Sequence, residues 1–138
     1  MARLNIELVT AEERKVSGEA DFVKAPGLDG ELGVLPGHVP LMTPLRAGEV
    51  MVRNGTDETY LFVAGGFLQV LPDRVVILAD AAERADEIDE ARAEEARKRA
   101  QQELEKNDGD SAEARAALER AIFRLRVAEL RKRRRGGS

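Results

Sequence analysis

The hydrophobic period of this chain changes near residue 86, and that change constrains its fold more than any other feature. Before it, Leu4, Ile6 and Leu8 alternate with Asn5 and Glu7, the period of two of a half-buried strand. The runs DFVKA, GVLP, VMVR, TYLFVA, GFLQVL and RVVILA continue in that style, separated by Gly, Pro, Asn or Asp. Asn54-Gly55 is the strongest hairpin signal, and Leu71-Pro72-Asp73 marks a second turn. Gly65-Gly66 offers nothing to pack, so a bulge or a close backbone approach is expected there. Many short strands with regular turns predict an antiparallel sandwich or barrel over residues 1–85.

From Asp86 the period is helical. Ile88, Ala91, Ala96, Ala100 and Leu104 share one face, and Asp86 with Asp89 reads as a capping box. Asn107-Asp108-Gly109-Asp110 breaks the run, and Asp110 with Glu113 reads as the next N-cap. Ala114, Ala117, Leu118, Ala121, Ile122, Leu125 and Ala128 mark a second helix. The short linker predicts an antiparallel hairpin over residues 86–138. Its facing surfaces are largely alanine, which bury little area, so the hairpin is expected to be marginally stable and able to open. The tail RKRRRGGS has no apolar residue and is expected to fray.

Charge follows the same division. The chain's net charge of -4 is the sum of -5 over residues 1–85, -5 over 86–110 and +6 over 111–138. An acidic partner is therefore met at the C-terminal end. MARLNIELVTAEERK has no long apolar run and meets an acid at Glu7, so no signal peptide is expected. No segment approaches the roughly 20 apolar residues of a spanning helix, and a cytoplasmic or matrix-side location is expected. Arg131 to Arg135 lack interleaved aromatics, so a solvated tail is favoured over nucleic-acid binding.

Chemistry is sparse. There are no cysteines and one histidine, so neither a disulfide framework nor a transition-metal site is expected. No phosphate-binding glycine loop, dinucleotide fingerprint, zinc motif or nucleophile elbow occurs. His38 lies in GELGVLPGHVPLMTPLRAG without an evident nucleophile or orienting acid, so a structural or interface role is favoured over catalysis. Glu12-Glu13 and Glu94-Glu95 are adjacent in sequence, and on a helix neighbours do not face each other. Arg92 and Arg99 lie two helical turns apart, and Arg120 and Arg124 lie four apart on the second helix. They either converge on a polyanion or make ordinary ion pairs, such as Asp89–Arg92 and Glu95–Arg99; spacing alone favours the ion pairs.

GELGVLPGHVPL, YLFVAGGFLQV, VVILAD, IDEARA and FRLRVAEL, at these spacings, closely resemble the epsilon subunits of F-type ATP synthases. The resemblance covers nearly the whole chain, and RKRRRGGS extends past where many such subunits stop. It implies an α+β fold: a β-sandwich of about ten strands over 1–85, then a two-helix antiparallel hairpin over 86–138. It implies a non-catalytic rotor subunit of the central stalk, coupling ion flow to ATP synthesis. The implied partners are the gamma subunit, the c-ring and the alpha/beta head. No nucleic acid is implied, and membrane association comes only through the complex, at the cytoplasmic face of the bacterial plasma membrane. Glu31, Gly33 and His38 are then expected in a loop at the gamma and c-ring contact. An extended hairpin inhibits ATP hydrolysis in bacterial members, with Arg115, Arg120, Arg124 and Arg126 the expected contacts with the beta subunit. No cofactor is required, but some members bind ATP as a regulatory ligand through I/L-D-x-x-R-A. Ile88, Asp89, Arg92 and Ala93 match that motif here, and Glu83, Arg99, Arg120 and Arg124 match contributing positions. The motif also helps pack the hairpin, so both uses stand. A free-standing ATP-sensing sandwich and hairpin is the alternative.

Overall fold

The structure is a computed structural model that describes residues 3–107 and 109–136, with backbone alone for 135 and 136. The chain separates into two compact units, Met1–Arg84 and Ala85–Ser138.

The first unit is built from β1 (Leu4–Val9), β2 (Arg14–Ala20), β3 (Phe22–Gly27), β4 (Gly30–Val34), β5 (Leu41–Leu45), β6 (Gly48–Asn54), β7 (Asp57–Val63), β8 (Gly66–Leu71), β9 (Arg74–Ala79) and β10 (Ala82–Arg84). They form one hydrogen-bonded sheet in the order β10-β7-β6-β3-β5-β8-β9-β1-β2, with β4 also on β3. Only the Gly27–Leu45 pair joins β3 to β5. There the sheet folds over and its two halves face each other as a sandwich. Neighbouring strands are antiparallel except β1 and β9, which run parallel.

The core follows from the alternation. Leu4, Leu8, Leu68, Val70, Val75 and Ile77 from one half meet Val23, Val50, Leu61 and Val63 from the other, all fully buried. The Asn54-Gly55 signal falls in the β6–β7 hairpin. Asn54 pairs with Asp57, so the two-residue loop is Gly55-Thr56. Pro72-Asp73 makes the β8–β9 turn. At Gly66 the expected close approach occurs: φ is +137° and a Cβ would lie 2.1 Å from the Leu78 carbonyl oxygen.

Three strands carried no clear period in the sequence. β2 (RKVSGEA) is polar because it is the last strand of the sheet order and faces solvent along one edge. β5 (LMTPL) contains Pro44, tolerated because β5 has a continuous neighbour, β8, on one side only. β10 has three residues, too few to show a period.

In the second unit a single 3₁₀ turn (Ala85–Glu87) precedes α1 (Glu90–Lys106) and α2 (Ala112–Gly136), which pack on each other. Both predicted caps shift. Asp86 lies in the 3₁₀ turn, and Asp89 is the N-cap of α1, its Oδ1 accepting from the Arg92 N–H at 3.2 Å. Ser111, not Asp110, caps α2: its Oγ accepts from the Ala114 N–H at 3.1 Å. A hydroxyl one residue nearer the apolar run reaches the third helical N–H, which the Asp110 side chain is too early to do. The tail does not fray at residue 131. α2 continues to Gly136, because arginine and lysine are good helix formers and favourable at a helix C-terminus. Asp108 and the last two residues lie outside the described residues.

Candidate interaction surfaces

GELGVLPGHVPL is not one loop. Glu31 and Gly33 lie on strand β4, opposite Pro26 and Lys24 of β3. Glu31 is exposed, with its carboxylate 3.6 Å from Lys24 Nζ. A Cβ on Gly33 would stand 3.1 Å from the Phe22 ring, which explains the missing side chain. Only residues 35–40 are loop. There Leu35-Pro36-Gly37-His38 closes a β-turn in which the His38 N–H donates to Leu35 O at 3.2 Å. Proline sets the second residue of the turn, and Gly37 has the positive φ (+85°) that the third requires in a type II turn. The Gly37 N–H donates to Pro72 O at 2.8 Å, tying the loop to the β8–β9 turn. His38 Nδ1 is 2.7 Å from Val39 O, so it carries a proton and donates. The imidazole thus spends one nitrogen on its own loop. Glu31 sits near the start of β4, and His38 in the loop that follows the strand's end.

A surface not anticipated from the sequence lies on the outer face of β5, β8 and β9. The register places Pro44, Phe67 and Leu78 side by side across these strands, with Val9 of β1 next in the row. Phe67 is 54% exposed, Leu78 56% and Met42, two positions along β5, 66%. An apolar row on the solvent side of a sheet marks an interaction site. The signal was present: RVVILA and LMTPL are apolar on both faces, a pattern expected of strands covered on both sides.

On the hairpin, the IDEARA residues serve its architecture. Ile88 is half-buried before α1, Asp89 caps it, and Ala93 is fully buried. Arg92 and Arg99 are exposed on α1, Arg120 is exposed on α2, and Arg124 is half-buried and engaged by a neighbour. Glu83 belongs to the other unit, on β10, where it pairs with Phe62. A groove of about 460 Å³ on the hairpin is lined instead by Arg97, Ile122, Leu125, Arg126, Glu129, Leu130 and Arg133. None of the residues expected to bind ATP lines it. Arg97 donates to Glu94 Oε1 from Nη2 at 2.6 Å and from Nε at 3.0 Å. That hydrogen bond holds the Glu94 carboxyl below its ordinary range and raises Arg97. The four arginines expected to meet the beta subunit fall on two faces. Arg115 and Arg126, eleven residues apart, share one, and Arg120 and Arg124 lie about 120–180° from them round the helix at about 100° per residue. Arg126 also lies over the Phe123 ring, 5.0 Å from its centroid. Among the described residues, no group of three metal-ligating side chains converges, and no helix is long and apolar enough to cross a membrane.

The division at residues 84–86 coincides with two family matches. The beta-sandwich domain of the ATP synthase delta/epsilon chain matches residues 3–85, and its long alpha-helix domain matches residues 86–129. An ATP synthase epsilon chain of Dehalococcoides mccartyi is 53% identical over 135 residues, covering 96% of both chains. One from Herpetosiphon aurantiacus is 51% identical over 134 residues, covering 95% of this chain and 98% of that one. The fold is also similar to a chain in a cryo-EM structure of the Euglena gracilis mitochondrial ATP synthase (OSCP/F1/c-ring), with a TM-score of 0.75 at 24% identity over 94% of this chain and 82% of that one. With both halves matched and about half of all positions identical to its bacterial relatives, the chain belongs to the family of ATP synthase epsilon chains.

Proposed function

We propose that this chain is a non-catalytic rotor subunit of the central stalk, in which the sandwich couples ion-driven rotation to ATP synthesis and the hairpin restrains ATP hydrolysis. The observation that carries the reading is the exposed row of Pro44, Phe67 and Leu78 in a member of this family. A well-packed sandwich with apolar side chains on its outer face fits a permanent partner, and the gamma subunit is the partner assigned to it. Two solved relatives in fold come from ATP synthase assemblies described as F1/c-ring and central stalk/c-ring, which supports placing the chain in a stalk. The exposed His38 loop and Glu31, at different places on the sandwich, are assigned to the gamma and c-ring contact. The chain is assigned a peripheral place at the cytoplasmic face of the bacterial plasma membrane, held there only through the complex.

The test is co-purification with gamma and the alpha/beta head. Phe67→Asp with Leu78→Asp, at exposed positions, leaves the isolated chain folded and abolishes assembly. A doubly substituted chain that still assembles and supports proton-coupled synthesis sinks the docking assignment.

Inhibition is assigned to α2, through Arg115, Arg120, Arg124 and Arg126 facing acidic surface of the beta subunit. Truncation before residue 111 is expected to raise ATP hydrolysis by the assembled complex without loss of assembly. ATP is assigned to the hairpin as a regulatory ligand through Ile88, Asp89, Arg92, Ala93, Arg99, Arg120 and Arg124. A ligand that binds only the closed hairpin stabilises it by RT ln(1 + [L]/Kd). Calorimetric titration with ATP, beside Arg92→Ala, decides this: binding lost in the variant supports it, and no binding in the parent leaves IDEARA with capping and packing alone.

A further inference from the structure

The helices of the hairpin differ in length, 17 residues in α1 against 25 in α2. Because they are antiparallel and joined by a short linker, α2 runs about two turns past the start of α1. The overhang carries Arg131, Lys132, Arg133 and Arg134, while the start of the unit carries Asp86, Glu87, Asp89 and Glu90. The 3₁₀ turn that holds the first two acids packs against α2. Lys132 Nζ lies 2.9 Å from Glu90 Oε1 and 3.0 Å from Oε2, bridging residues 42 apart in sequence. Glu87 and Arg134 are engaged as well, and Arg133 lies 3.7 Å from Glu129.

The linker tethers one end of the hairpin, so separation of the helices begins at the other, where these charges meet. Packing gives little resistance there. Among the described residues, the buried side chains of the hairpin are Ala85, Ala93, Ala100, Ala114, Ala121, Val127 and Ala128, nothing larger than valine. Each charge set also suits its own helix end: carboxylates favour the N-terminus of α1, cations the C-terminus of α2. Antiparallel packing then sets them opposite each other.

The geometry points to an electrostatic latch: the cationic last turns of α2, through Lys132, clasp the acidic start of the hairpin at Glu90 and hold its free end closed. Closure of the hairpin then depends on ionic strength. The latch deepens the reading of the hairpin as a two-state element, and it is tested on the isolated chain without rotor partners. A stalk assignment that failed would leave the result standing.

The chain has no cysteine, so Glu95→Cys on α1 and Ala116→Cys on α2 accept a pair of spin labels whose distance reports opening. Raising ionic strength from about 0.01 M to about 1 M, which shortens the screening length from about 30 Å to about 3 Å, populates a longer distance. Lys132→Glu and the neutral Lys132→Met each raise the open-to-closed ratio about 3- to 5-fold, the scale of a well-formed surface pair. The reversed pair, Glu90→Lys with Lys132→Glu, returns the ratio to near that of the parent while leaving an acid at the unfavourable end of α2. Circular dichroism at each step separates opening from melting of α2. A distance distribution indifferent to salt and to Lys132→Met overturns the latch. So does a reversed pair as open as Lys132→Glu alone, which would reduce the effect to the dipole of α2. Loss of helix in place of a longer distance also overturns it.

Discussion

The sandwich and the hairpin solve the packing problem in opposite ways. The sandwich buries leucine, isoleucine and valine from two facing half-sheets, with Leu4, Leu8, Leu61, Leu68 and Ile77 fully covered. The hairpin brings two helices together on alanine, and its polar rim carries the Glu90–Lys132 and Glu94–Arg97 pairs. Stability scales with the apolar area buried, so the sandwich is the durable part and the hairpin the part whose state is easily shifted. The same contrast appears at the surface. The sandwich shows a fixed apolar row suited to a constant partner, whereas the hairpin shows charge, which responds to salt and ligands.

The largest expected effect tests the sandwich. Leu68→Ala, at a fully buried site, is expected to lower its stability by about 2–5 kcal/mol in denaturant unfolding. Amide exchange in α1 and α2 should stay near the parental rate, and a hairpin that loosens in step would break the contrast between the units. Gly66→Ala follows. The +137° φ and the 2.1 Å approach to Leu78 O leave no room for a methyl group, so a loss of about 2–3 kcal/mol in thermal unfolding is expected from backbone strain. On the hairpin, Ala121→Leu overfills the helix contact, where Ala121 is 4% exposed. It should open α1 from α2 by about 1–3 kcal/mol, read as faster exchange confined to the second unit. Asp89→Ala removes the cap of α1 and is expected to lower helix stability by about 1 kcal/mol by circular dichroism.

The smallest effect is with pH. Arg97 holds the Glu94 carboxyl below its ordinary value of 4.5. The pair therefore stabilises the hairpin above that value and is lost as pH falls through the depressed one. Both groups are solvent-accessible, so the dependence is slight. Its disappearance in Arg97→Met, seen in exchange rates of α1, checks the assignment.

Alternation in LNIELV and helical spacing from Ile88 onward are properties of the chain alone, because strand and helix periods differ and each buries one face. Those patterns determined two unlike units and most of their strands. The residues of IDEARA were legible as a motif, and Asp89, Arg92 and Ala93 were singled out, but not that Asp89 caps α1. Three things required the tertiary structure. The parallel pairing of β1 with β9 joins segments about 65 residues apart, and no local period encodes a distant neighbour. The splitting of GELGV from LPGHV into strand and loop depended on β3 being available to pair with β4. The row of Pro44, Phe67 and Leu78 became a surface only when register aligned three strands, of which RVVILA and LMTPL are apolar on both faces. A side chain's period says that it will be covered, and the packing of the whole chain decides whether the cover is its own fold or a partner.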